Sequence, residues 1–97
     1  MSEIVTLFCP VDAKKGCGEK LKAALIALTC ETRKEAGCIC YRLHSTPDPD
    51  RFLIYEQWKN QAALDAHMAM PHLEKFLADE KKLLARQPAG RFLKEFV

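Results

Sequence analysis

The apolar positions of this chain change period several times, and each change predicts an element. Ile4 to Cys9 is a β-rich run, read as a first strand closed by Pro10, whose ring removes a ladder donor. Beyond Gly16 and Gly18, Leu21, Ala24, Leu25 and Leu28 recur at i, i+3, i+4 and i+7. That is the stripe of an amphipathic helix, with Gly37 as its expected C-terminal cap. Cys38–Ser45 returns to a strand pattern, placing Cys38, Cys40, Arg42 and His44 on one face and Ile39, Tyr41 and Leu43 on the other. Turn-forming residues from Ser45 to Asp50 lead into Arg51–Trp58, a third strand expected to pair with the second as an antiparallel hairpin.

Asn60 suits the N-cap of a short helix through Leu64 and His67, and Pro71 suits the first turn of another. Leu73, Phe76, Leu77 and Leu84 extend that second helix until Pro88, Ala89 and Gly90 stop it, and Arg91–Val97 is the closing strand. The order predicts an α+β fold, a ferredoxin-like βαββαβ unit with a four-stranded antiparallel sheet, spanning residues 1–97 as one domain. Helices cover one face of such a sheet. Ile4, Leu53 and Tyr55 leave the other face partly apolar, so a homodimer with sheet against sheet is expected.

Composition narrows the function classes. Ninety-seven residues at 48% hydrophobic content suffice for one core, and a net charge of +2 without a basic block argues against a nucleic-acid partner. No apolar run is long enough to span a membrane, and the start of the chain lacks the pattern of a secretory signal, which points to the cytoplasm. Five cysteines, an odd number without zinc-site spacing, read as reduced thiols. Cys38 and Cys40 make an incomplete ligand set and are read as small buried side chains, with no metal. Cys17 at a helix start is expected to be the most reactive thiol.

In the third strand, Phe52, Ile54, Glu56 and Trp58 share one face, and Glu56 is the polar exception. A carboxylate in an apolar row needs either a structural partner or a chemical task. Together with the segment Glu35–Tyr41, the segment Phe52–Trp58, the segment Ala63–His67 and the segment Pro71–Phe76, this chain resembles the antibiotic biosynthesis monooxygenase family, also described as the dimeric α+β barrel. The resemblance covers nearly the whole chain. It implies an enzyme that oxygenates a quinol, phenol or anthrone with molecular oxygen, without metal, flavin or haem, and hence with no cofactor. A deprotonated hydroquinone can itself donate an electron to oxygen, which leaves the protein to bind, desolvate and take a proton.

His67 is the candidate general base, and its position matches the family's helix-borne histidine; a packed helix-end histidine is the plain alternative. Glu56 is expected either to orient His67 or to pair with a lysine or a backbone donor. Trp58, Tyr41 and Phe76 are candidates for a substrate slot, though Trp58 also fits a core position, and His72 is placed near the mouth. Three rivals share this fold: an isomerase working on a small carbonyl compound through the same acid-base pair, a haem-degrading enzyme, and a non-catalytic dimer that binds a small molecule. Leu77 stands where a haem-ligating histidine would be expected, which disfavours the second of these.

Overall fold

A computed structural model describes residues 3–96. The chain forms β1 (Val5–Asp12), α1 (Gly18–Thr32), β2 (Cys38–Ser45), β3 (Arg51–Trp58), α2 (Gln61–Met68), α3 (Pro71–Asp79) and β4 (Arg91–Leu93), with a 3-10 turn at Lys81–Leu83. The four strands make one antiparallel sheet in the order β2-β3-β1-β4. That is the split βαβ arrangement expected from the element order, with α1 packed on β2 and α3, and α2 packed on β3.

Apolar periodicity decides which face the helices cover. Leu21 and Leu25 of α1 are fully buried against a sheet face built from Leu7, Val11, Phe52, Ile54 and Trp58. Each such side chain contributes roughly 1.5–3 kcal/mol through the apolar area removed from water. On β3, burial alternates strictly: Phe52, Ile54, Glu56 and Trp58 are buried, while Leu53, Tyr55 and Gln57 on the opposite face are only half-buried.

Several boundaries differ from the sequence expectation, each for a local reason. β1 continues through Pro10 to Asp12, because β4 pairs with β1 only from Thr6 to Phe8 and a proline is tolerated on the open edge beyond. α1 ends at Thr32, before Gly37, and residues 33–37 form a compact turn held by Glu35 N–H to Thr32 O and Cys38 N–H to Glu35 O. Gly37 is needed there for close approach: a Cβ at that position would stand 2.3 Å from Ala63 Cβ of α2. α3 stops at Asp79, after which Leu84, in extended backbone, bridges Ala13 at the end of β1; its burial comes from this bridge and not from a helix face. β4 is three residues long, and Val97, the expected end of the closing strand, lies outside the described residues.

The expected alternation along β2 is corrected by a bulge. Cys38 pairs with Trp58 and Cys40 with Gln57, so Ile39 is the extra residue and is exposed. Cys38 and Cys40 therefore lie on opposite faces: Cys38 packs against the core, and Cys40 meets Gln57 on the other side. All five cysteines are free thiols. At the α1 start, Asp50 accepts from the amides of Gly16 and Gly18, at 3.0 and 2.9 Å, so a carboxylate from the β2–β3 loop occupies the helix N-terminus beside Cys17. The two cap predictions made from local sequence match the structure: Asn60 Oδ1 accepts from Ala63 N–H at 2.9 Å, and Pro71 opens α3. Among the described residues no helix is long and apolar enough to cross a membrane.

Candidate active site

Three segments converge beneath the helices. The turn after α1 carries Glu35, the last turn of α2 carries His67, and the first turn of α3 carries His72. Glu35 Oε2 lies 2.8 Å from His67 Nδ1 and 2.7 Å from His72 Nε2. The side chains of Glu35 and His67 are buried, with 5% and 4% of their surface exposed, whereas His72 retains 22%. A carboxylate oxygen accepts, so with Glu35 ionised each of these nitrogens carries the hydrogen. His67 Nε2 is then the acceptor nitrogen, and it has no hydrogen-bond partner among the described residues.

His67 also borders a cavity of about 100 Å³ between the sheet and the helices. Leu25, Leu28, Ile54, Leu64 and Leu73 make most of its wall apolar, and Tyr41, Glu56 and Phe76 join His67 on the lining. Tyr41 is buried, and burial followed by the nearby Glu56 carboxylate pushes its phenol well above the usual value. It therefore stays a hydroxyl donor, and its OH has no protein partner among the described residues.

Glu56 receives the indole N–H of Trp58 at 2.9 Å. Burial raises its carboxyl above the ordinary range, while the Trp58 hydrogen bond and the neighbouring His67 pull the other way. Trp58 is fully buried and does not line the cavity; its ring lies under His67 with centroids 4.6 Å apart. The sequence-selected residues are thus distributed over two layers. Tyr41, Glu56, His67 and Phe76 line the cavity, Trp58 supports His67 and Glu56 from below, and His72 stands between Glu35 and the surface.

The carboxylate bonded to His67 is Glu35, whereas Glu56 bonds Trp58. Sequence pattern does not single out Glu35, because a helix continued to Gly37 leaves it on a helix end with no reason to point inward. Its signal was positional: an acid two residues before a glycine at the end of an apolar stripe.

The sequence profile described as "Antibiotic biosynthesis monooxygenase" matches residues 5–79. "Putative monooxygenase Rv0793" of Mycobacterium tuberculosis is 35% identical over 69 residues, covering 71% of this chain and 68% of that protein. Its solved structure superposes with a TM-score of 0.87 at 27% identity over 98% of this chain and 97% of that one. The crystal structure of PA3566 from Pseudomonas aeruginosa gives a TM-score of 0.91 at 34% identity, covering 100% of this chain and 98% of the other. The uncharacterized protein sll1783 of Synechocystis is 39% identical over 56 residues, which span 57% of this chain but 38% of that protein. With the profile covering most of the chain and the fold shared over its whole length, this protein belongs to the antibiotic biosynthesis monooxygenase family.

Proposed function

We propose that this protein is a cofactor-independent monooxygenase acting on a single-ring hydroquinone or related phenol, with His67 as general base. One observation carries the reading: His67, a residue of the apolar-walled cavity lining, is held at Nδ1 by a buried carboxylate while its Nε2 has no hydrogen-bond partner among the described residues. An orienting acid on one ring nitrogen and an open second nitrogen are what proton abstraction by imidazole requires.

In this reading the substrate hydroxyl gives its proton to His67 Nε2. Glu35 holds the resulting imidazolium, and the Tyr41 hydroxyl donates to the second substrate oxygen. The hydroquinone anion then reduces dioxygen by one electron, and recombination inserts one oxygen atom while the other leaves as water. The balance is one hydroquinone and one dioxygen giving one hydroxyquinone and one water, so no external reductant enters. The apolar wall favours this step by stripping water from the anion. The cavity of about 100 Å³ is smaller than the roughly 150 Å³ apolar cavity that takes up benzene, so even one ring enters only as the wall side chains yield, and the three rings of an anthrone are disfavoured.

Trp58 and Glu56 enter as a supporting pair. The indole fixes the plane of His67 by packing, and the Glu56 carboxyl, raised by burial, adds a polar group to an otherwise apolar lining. We also propose that a second copy covers the outer sheet face, where Phe8, Leu53 and Tyr55 are half-buried and Leu93 is exposed. Sedimentation of the wild type as a dimer and of Tyr55→Lys as a monomer would agree; a monomeric wild type contradicts it.

Oxygen uptake measured with a panel of substituted hydroquinones tests the chemistry. Uptake with single-ring substrates, ending when oxygen is exhausted, is expected. Substrate turnover that continues unchanged under strict anaerobiosis would contradict the oxygenase reading and favour an isomerase.

A further inference from the structure

The Glu35–His67–His72 cluster has a property that an orienting hydrogen bond does not use. Glu35 is a buried carboxylate whose ion-pair partners among the described residues are the two histidines alone; no lysine or arginine lies within salt-bridge distance. Its second oxygen, Oε1, is buried with no hydrogen-bond partner. A buried carboxylate without a permanent cation, carrying an unused oxygen, is costly unless positive charge is supplied to it.

We propose that Glu35, His67 and His72 form a binding site for a divalent first-row transition ion of the zinc type. Nδ1 of His67, Nε2 of His72 and a carboxylate oxygen of Glu35 all lie within 4.8 Å of one another. Two imidazoles and one carboxylate make the donor set of three-ligand zinc sites, in which a fourth position stays open. The histidines come from neighbouring helix ends, with four residues between them, a spacing common among zinc ligands. At metal–ligand distances of about 2.0–2.2 Å the ion takes the place between the two nitrogens that Glu35 Oε2 now bridges. The carboxylate turns aside to bind it, a small motion for a residue in a turn. His72, the partly exposed member, gives the entry path and the open side.

His67 lines the cavity, whereas Glu35 and His72 do not. Coordination at Nδ1 leaves the ring hydrogen on Nε2, so a loaded site presents a donor to the cavity where the metal-free protein presents a base. The binding proposal itself is independent of the oxygenase reading and is tested without substrate.

Metal-free protein is titrated with Zn(II) by calorimetry and with Co(II) by absorption, for the wild type, Glu35→Gln and His72→Asn. One equivalent per chain is expected, with cobalt bands of nitrogen and oxygen ligation and no thiolate charge-transfer band. Each variant should bind about tenfold more weakly or worse. His72→Asn changes a partly exposed side chain, and its circular dichroism is checked first; it decides the matter should Glu35→Gln fail to fold. Absence of stoichiometric binding, equal affinity in His72→Asn, or a thiolate band from any of the five cysteines overturns the proposal.

Discussion

Glu35 Oε2 stands 2.8 Å from His67 Nδ1 although 32 residues separate them along the chain. The contact exists because α1 ends at Thr32 and the following turn drops the carboxylate inward, beneath the end of α2. In the proposed chemistry this pair sets the tautomer of the base.

Replacing Glu35 by alanine removes the acceptor of both histidines. The expected result is a stability loss of about 1–3 kcal/mol from the unpartnered buried donors, together with a fall of roughly 10–100-fold in kcat. Glu35→Asp should recover part of both. Urea unfolding and steady-state oxygen uptake check the two effects separately, and an alanine variant with native kcat would remove Glu35 from the mechanism.

Gly37 places the same turn. A Cβ there would stand 2.3 Å from Ala63 Cβ, and neither backbone has a flexible side chain with which to yield. Gly37→Ala should therefore cost about 1–3 kcal/mol, the range of overpacking, and should lower activity by moving Glu35 off His67. The double variant Gly37→Ala with Ala63→Gly should regain stability. Denaturant midpoints of the three proteins settle this, and additive losses in the double variant would contradict it.

Glu56 couples stability to pH. Burial raises its carboxyl above the ordinary 4.5, so between its unfolded and folded values the native state binds more protons than the unfolded one. Stability contributed in this way is present at low pH and falls as pH rises through that window. Glu56→Gln keeps an oxygen for the Trp58 N–H and removes the titration, so its stability should decline less across the window. Asp12 acts in the opposite sense: Arg51 holds its carboxyl below the usual value, and stability from that pair is lost as pH falls through the folded value. Urea midpoints measured against pH for wild type and Glu56→Gln check the sign; identical slopes would contradict it.

The parts of this fold that sequence pattern revealed are those set by near neighbours. Asn60 caps a helix three residues on, Pro71 starts one, and the β2–β3 hairpin closes over a short polar loop. Glu56 stood out because a strand face is read at every second residue. The bulge at Ile39 was invisible, since an inserted residue leaves the composition of a strand intact while exchanging its faces. Glu35 was invisible for a different reason: its partners lie 32 and 37 residues away, and periodicity carries no information about which turn meets which helix end. Leu84 shows the converse, a residue at helical spacing that is buried by an extended bridge.

The central claim is that His67 takes the proton that starts the reaction. It is tested most directly by oxygen uptake with one accepted hydroquinone, comparing wild type with His67→Ala of equal circular dichroism. The expected result is a fall in kcat/KM of about 10²–10⁴-fold, the contribution of a positioned general base. Equal rates in the two proteins would contradict it.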